Sequence, residues 1–180
     1  GAAPVGQDTG LREMRELIER GVPEFDGPMG EVSEREMLTD YSRFLRELVD
    51  LSDIRPLRVV VDAGNGMGGY TVPAVLTEAA GLSALPLDII PMYFELDGTF
   101  PNHEANPNEP ANMRDLQDRV IAEGADLGLA FDGDADRCFV VDERGAIVSP
   151  SALTALIADR ELAKHPGATI IHNLITSKSV

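Results

Sequence analysis

Residues 57–69 read LRVVVDAGNGMGG and join a short β-branched run to a glycine-rich turn. A continuous apolar run of this length is typical of a strand that is buried on both faces of a parallel sheet. After the turn, apolar side chains recur at helical spacing until Gly81, at Val72, Val75, Leu76 and Ala79. The stretch therefore predicts a strand, a tight turn and a helix, which is the repeating unit of an α/β fold.

The same alternation continues along the chain. LSALPLDII at 82–90 and ADLGLAF at 125–131 are two more strand regions. The helix between them carries its apolar face on Met113, Leu116, Val120 and Ile121 and ends at Gly124. CFVVDERGAIV at 138–148 predicts a hairpin that turns at residues 142–145. Strands alternating with helices predict an α/β fold with a mainly parallel sheet flanked by helices on both faces.

The two ends of the chain resemble pieces of neighbouring units. A helix is expected at residues 11–20, followed by a Gly- and Pro-rich linker at 22–32. Ser33 and Glu36 form a capping-box pattern before a second helix, which should end before Pro56. At the other end, a helix capped by Ser149 or Ser151 should precede a final strand at 168–175. We therefore divide the chain into residues 1–32, 33–148 and 149–180.

The amino-acid composition indicates which kinds of binding partner and cellular location fit this chain. The 180 residues include 15 Lys and Arg and 31 Asp and Glu, which gives a formal net charge of −16. This charge argues against nucleic acid or an anionic membrane as the main partner. The single cysteine, Cys138, excludes an internal disulfide and fits a reducing, cytoplasmic location; in a strand, it is expected to be buried. We find no apolar run of the roughly 20 residues that a membrane span needs, and no signal peptide.

Three aspartates alternate in AFDGDADRCF, residues 130–139. They are Asp132, Asp134 and Asp136, and Arg137 follows directly. Carboxylates this close repel one another unless a cation lies among them. The loop follows a buried strand, so it should emerge at the carboxyl edge of the sheet, where ligands bind in open α/β folds. All-oxygen ligation suits Mg²⁺, Mn²⁺ or Ca²⁺ better than Zn²⁺. We expect a metal site here, with Arg137 beside it to hold a phosphate; the simpler alternative is a solvated acidic turn.

An EF-hand calcium loop fits these residues less well. Counting from Asp132, Glu143 falls at position 12, but position 6 holds Arg137 where the sharp turn needs glycine. The flanking segments are also strand-like, whereas an EF-hand needs helices. We therefore reject this alternative.

The glycine-rich turn admits a second functional interpretation. Gly64, Gly66 and Gly69 match the G-x-G-x-x-G fingerprint of dinucleotide sites, and Asp88 lies at the distance of a ribose-binding acid. We favour the plainer interpretation of a tight strand-to-helix turn, because such spacing arises easily in a Gly-rich segment. His103, in the long polar loop at 95–110, carries little weight by itself.

Three segments together suggest a family. LAFDGDADRCFVVDERG resembles the metal loop of the α-D-phosphohexomutases, and VVVDAGNGMGG resembles the start of that family's second domain. ELDGTFPNHEANPNEPANM resembles a loop of its phosphomannomutase/phosphoglucomutase branch. The segments occur in the family's order, and the resemblance covers about residues 33 to 180.

The resemblance implies a fold and a chemistry. Family members have four domains around one cleft, so residues 1–32 would end domain 1, residues 33–148 would form domain 2 and residues 149–180 would begin domain 3. They move phosphate between the 6-OH and 1-OH of a hexose through a phosphoserine. By resemblance, Asp132, Asp134 and Asp136 ligate Mg²⁺, and Arg137 lies near the transferring phosphoryl group. Ala135 replaces the family's usual second glycine in this loop, which should be tolerated unless the backbone needs a positive φ.

The family's serine loop, sugar-binding loop and phosphate-binding domain have no equivalent in these 180 residues. We therefore expect the chain alone to be inactive, with a phosphosugar and further domains of the same protein as partners in the intact enzyme. Two alternatives stay open: a Mg²⁺-dependent nucleotide-binding enzyme that uses the GNGMGG turn, and a non-catalytic metal-binding domain.

Overall fold

The computed structural model describes residues 3–177 and contains two compact units that divide between Arg35 and Glu36. The first unit contains helix α1, Leu11–Arg20, after a short 3₁₀ turn at Gln7–Thr9. Gly21 follows the helix with a positive φ of 88°, a conformation that suits glycine at a helix end. Residues 22–32 contain no helix or strand, so the predicted helix and linker are both confirmed.

The second unit is built on a four-stranded sheet. Its strands are β1 Leu57–Asp62, β2 Leu87–Met92, β3 Leu127–Phe131 and β4 Cys138–Asp142. They lie in the order β2-β1-β3-β4. The first three are parallel, and β4 returns antiparallel to β3 with Cys138 opposite Phe131. The predicted mainly parallel sheet is thus confirmed. The predicted hairpin at 138–148 does turn back, since the Val148 N–H donates to the Val140 carbonyl at 2.8 Å, but its second arm forms only an isolated antiparallel bridge, Val141 with Ile147, and not a strand.

Helices α3, Gly68–Leu76, and α4, Arg114–Glu123, cover opposite faces of this sheet. Side chains of β1 alternate between them, as a strand requires. Val59 and Val61 pack with Val72 of α3, whereas Val60 packs in a fully buried cluster that includes Leu116 of α4. The continuous apolar run in β1 therefore reflects burial on both sides, and the predicted α/β fold with helices on both faces is confirmed.

Helix α2, Leu38–Leu48, ends well before Pro56, as predicted. The predicted role of Ser33 at its start is wrong. Glu36 caps the helix instead, since its Oε1 accepts hydrogen bonds from the backbone N–H groups of Leu38 and Thr39 at 2.6 and 3.2 Å. The chain enters the helix too late for Ser33 to reach its first turn.

Arg46 joins α2 to the end of α3 and to the segment that follows it. Its guanidinium donates to the carbonyl oxygens of Val75 at 2.7 Å and Thr77 at 2.6 Å, and also to that of Ser83. Three backbone acceptors of a half-buried connection are thereby satisfied by one side chain.

The chain ends differently from the expectation. Helix α5, Pro150–Lys164, has Ser149 before its first residue, but none of its residues is buried. The predicted final strand at 168–175 is wrong, because the structure has only turn and coil there. Ile171, Leu174 and Ile175 are almost fully exposed. A β-prone segment forms a strand only beside a partner. None of the helices within residues 3–177 has the length and apolar character needed to cross a bilayer.

Candidate metal centre

The loops that follow β1 and β3 meet at the carboxyl edge of the sheet. From β1 the chain passes to β2 on one side, and from β2 it crosses to β3 on the other, so the strand order reverses between β1 and β3. The backbone N–H of Met67, after β1, donates to the carbonyl of Gly133, after β3, at 2.9 Å. Ligands of open α/β folds bind at such a switch point.

The acidic loop, residues 132–137, brings its three aspartates together. One carboxylate oxygen from each of Asp132, Asp134 and Asp136 lies within 4.8 Å of the others. Asp132 is buried, while Asp134 and Asp136 are exposed. The charge of Asp134, followed by that of Asp132, raises the pKa of Asp136. The loop therefore concentrates negative charge in a way that favours a bound cation.

Arg137 partly neutralises this charge from within the loop. Its Nε lies 2.7 Å from Oδ2 of Asp132, and its backbone N–H donates to Oδ1 at 3.0 Å. Burial would raise the pKa of Asp132, but the hydrogen bonds and charge of Arg137 outweigh this effect and hold the pKa below its usual value. The Arg137 side chain is 49% exposed, so part of it faces solvent at the site.

Ala135 occupies a backbone conformation that favours glycine. Its φ is +60°, and its N–H donates to the carbonyl of Asp132 at 3.1 Å in a tight turn. Alanine is expected to fit here only if the backbone does not need a positive φ. Because the backbone does adopt one, Ala135 is strained. The acidic loop keeps its turn despite the added methyl group.

Two glycines of the GNGMGG turn, Gly66 and Gly69, are explained by close backbone contacts. A Cβ on Gly66 would lie 2.6 Å from the carbonyl oxygen of Gly133, and one on Gly69 would overlap the carbonyl of Phe94. Asp88 lies near the start of β2, at the opposite edge of the sheet, where it pairs with Arg58 at 2.9 Å. Asp88 is thus not beside the turn, and the structure gives the dinucleotide interpretation no ribose-binding acid there.

Sequence reasoning missed one interaction at this edge. Asp62, the last residue of β1, is 1% exposed and lies 2.8 Å from Nε2 of His103. Burial raises the pKa of Asp62, although the charge of His103 opposes this. The sequence offers two signals, because Asp62 ends a predicted strand and His103 lies in the loop after the next one. They are 41 residues apart, so nothing in the sequence connects them.

Comparison with known proteins places the fold in a family. Residues 39–145 match the family model of phosphoglucomutase/phosphomannomutase, alpha/beta/alpha domain II. The phosphomannomutase of Salmonella montevideo is 39% identical over 175 residues, which cover 96% of this chain and 38% of that protein. The phosphomannomutase/phosphoglucomutase of Pseudomonas aeruginosa is 41% identical over 164 residues, or 91% of this chain and 33% of that protein.

A solved structure agrees with these relatives. A phosphoglucomutase/phosphomannomutase family protein from Burkholderia thailandensis superposes with a TM-score of 0.72 at 32% identity, covering 91% of this chain and 33% of that one. The chain thus spans about a third of the length of the proteins it matches. The family model covers all four strands and the acidic loop. The chain therefore belongs to the phosphoglucomutase/phosphomannomutase family, and residues 39–145 correspond to its α/β/α domain II.

Proposed function

We propose that this chain is the central, Mg²⁺-binding part of an enzyme that interconverts hexose 6-phosphate and hexose 1-phosphate through a phosphoserine. The observation that carries the proposal is the convergence of three carboxylates at the switch point of a domain II sheet. The names of the relatives from Salmonella and Pseudomonas support phosphomannose and phosphoglucose as the substrate class.

The donor set fits Mg²⁺. Asp132, Asp134 and Asp136 offer only carboxylate oxygens, which hard divalent cations prefer, and three such ligands leave room for a phosphate oxygen. When bound, Mg²⁺ would supply Lewis-acid stabilisation of charge on a phosphoryl group. Arg137 would hold Asp132 in its ionised form and present the exposed part of its guanidinium to the same phosphoryl oxygens.

The same proposal assigns each part of the chain to a domain of the intact enzyme. Residues 1–32 would belong to the end of the preceding domain, 33–148 to domain 2 and 149–180 to the start of domain 3. The partners would be a phosphosugar and the other domains of the same protein, in a cytoplasmic setting. A net charge of −16 supports the absence of a nucleic-acid or anionic-membrane partner.

The 180-residue chain alone should not interconvert mannose 6-phosphate and mannose 1-phosphate, even with Mg²⁺ and the bisphosphorylated sugar. Carboxylates and a guanidinium can stabilise a transferring phosphoryl group, but the family's serine, which would accept it, is absent from this sequence. A coupled assay on the purified chain, run beside a Mn²⁺ titration, tests the proposal. Turnover that disappears in Asp132→Ala would overturn it, and so would a failure to bind Mn²⁺ or Mg²⁺.

A further inference from the structure

His103 makes two hydrogen bonds with groups that accept. Its Nε2 lies 2.8 Å from Oδ2 of Asp62, and its Nδ1 lies 2.9 Å from the carbonyl oxygen of Glu104. Neither the carbonyl nor an ionised carboxylate offers a proton, so with Asp62 ionised both ring nitrogens donate. The side chains are 14% and 1% exposed. His103 thus anchors the long loop to the end of the central strand β1 through a largely buried, charge-assisted contact.

The segment around His103 borders the middle of the acidic loop, with room for about one methyl group between them. A Cβ on Gly133, which lies between Asp132 and Asp134, would be 3.5 Å from Cζ of Phe100 and 3.9 Å from Cβ of Ala105. Both ends of the segment 100–105 therefore lie within ordinary van der Waals contact of that position. His103 sits between these two ends and holds the segment in place.

A second set of hydrogen bonds fixes the other side of Gly133. Asn65, in the turn after β1, donates from Nδ2 to the carbonyl of Glu95 at 2.8 Å and accepts at Oδ1 from Asn102 at 2.7 Å. The neighbouring Gly66 lies against the Gly133 backbone so closely that no Cβ would fit. Gly133 therefore contacts the turn after β1 closely on one side and faces the segment 100–105 on the other.

Backbone strain is concentrated in the same place. Among the described residues, the non-glycine residues with positive φ are Asn65, Tyr93, Phe100 and Ala135, all in loops at the carboxyl edge. Such conformations persist only where surrounding contacts hold them, and they cluster at functional sites. The positive φ of Phe100, at 51°, turns the chain just before His103.

We propose that His103 is a positioning residue for cation binding: its contact with Asp62 fixes the segment 100–105 beside Gly133, limits the movement of that glycine and so sets the spacing of Asp132 and Asp134. The inference rests on the proposed function of the acidic loop. His103 itself touches neither cation nor substrate. Groups that hydrogen-bond directly to metal ligands commonly change metal affinity by about 10- to 100-fold. His103 acts through the segment 100–105, so its effect should lie at the lower end of this range.

Calorimetric titration of Mn²⁺ into the wild-type chain, His103→Ala and His103→Gln tests the inference. We expect about tenfold weaker binding for His103→Ala. His103→Gln should recover part of the affinity, because its amide can still donate to Asp62. Val120→Ala is the matched control, since Val120 is fully buried in the core, away from the loop. It should lower stability and leave Mn²⁺ affinity unchanged.

Amide hydrogen exchange gives a second measurement if His103→Ala folds poorly. In His103→Gln, exchange at Gly133 and Ala135 should accelerate relative to Val120→Ala. Equal Mn²⁺ affinity in wild type and in the folded His103 variants would overturn the inference while leaving the metal site intact. An equal loss in Val120→Ala would also overturn it, because the effect would then reflect stability alone. A wild-type chain that binds no Mn²⁺ would instead overturn the proposed function, and this inference with it.

Discussion

Arg137 binds Asp132 through two donors, its Nε at 2.7 Å and its backbone N–H at 3.0 Å, so the buried aspartate of the acidic loop is neutralised by the residue that ends the loop. Part of the negative charge of the acidic loop is therefore neutralised by a residue of the loop itself. It also gives Arg137 a role in stability that is separable from any role in phosphoryl transfer.

Arg137→Gln should lower the free energy of unfolding in EDTA by about 1–2 kcal/mol. The substitution leaves the buried Asp132 without its cationic partner, and the effect is below that of a fully buried pair because the guanidinium is half exposed. Urea denaturation measures it. The loss should be present at neutral pH and shrink as the pH falls, because the depressed pKa of Asp132 makes this stabilisation disappear on protonation. Arg144→Gln, a surface substitution beside Asp142, should have much less effect; equal losses would contradict the assignment.

Asp134→Asn should weaken Mg²⁺ and Mn²⁺ binding by about tenfold and slightly stabilise the chain in EDTA. A neutral amide oxygen is a poorer ligand for a hard cation, and removing one charge relieves the repulsion that raises the pKa of Asp136. Calorimetry and urea denaturation report the two effects. Glu143→Gln makes the same charge change outside the cluster. If it weakens binding as much, net charge and not ligation explains the result.

Ala135→Gly should raise the free energy of unfolding by about 0.5–1 kcal/mol. The left-handed conformation at φ +60° costs an L-residue roughly 1–2 kcal/mol, of which the greater freedom of glycine in the unfolded chain cancels a part. Ala122→Gly, in the last turn of α4, should have the opposite sign, because glycine has a lower helix propensity than alanine. Thermal or urea denaturation of both variants decides the matter, and a loss of stability in Ala135→Gly would show that the turn is not strained.

The contribution of the His103–Asp62 pair to stability should fall as the pH rises above about 6.5, the pKa of an unperturbed histidine. Burial lowers the pKa of His103, but the Glu104 carbonyl and the charge of Asp62 outweigh it, so the pKa is raised overall; the charge of Asp115 acts in the same direction. The pKa of Asp62 is also raised, by burial. The folded pair therefore binds more protons than the unfolded chain, and its stabilisation is complete below the unfolded pKa of histidine and lost above the folded one.

The double variant Asp62→Asn/His103→Gln is the reference for this measurement, because it removes both titrating groups. The difference in unfolding free energy between wild type and this variant should decrease with pH. A difference that stays constant across the range would mean that the pair does not titrate.

Arg46→Ala should lower the free energy of unfolding by about 2–3 kcal/mol, since three backbone carbonyls lose their donor. Arg46→Lys should recover only part of this, because an ammonium cannot reproduce the fork of the guanidinium. Arg43→Ala is the control, as its partner Asp40 lies on the surface at 3.0 Å. If both alanine variants lose the same stability, the carbonyl contacts are not the cause.

Local patterns predicted most of the fold and the acidic loop. The apolar run of β1, the helical spacing of α4 and the terminal Gly124 depend on near neighbours in sequence, so each could be recognised alone. The three aspartates likewise lie within five residues, and their convergence follows from alternate spacing on one turn.

Features that depend on distant neighbours could not be predicted. The segment 168–175 has the composition of a strand, but no strand lies beside it. Cys138 is exposed, contrary to expectation, since β4 is the edge strand of the sheet. The Asp62–His103 contact required knowing that the loop after β2 folds back over the end of β1.

The antiparallel return of β4 orders the acidic loop before any ligand would bind. Because Phe131 and Cys138 are paired in the sheet, both ends of the six-residue loop are tied to the same ladder, and the Asp132 N–H reaches the Arg137 carbonyl at 3.4 Å across its base. A loop anchored in this way loses most of its conformational entropy when the domain folds. In the proposed function a cation would therefore meet ligands that are already ordered, so its association should be accompanied by little loss of backbone entropy.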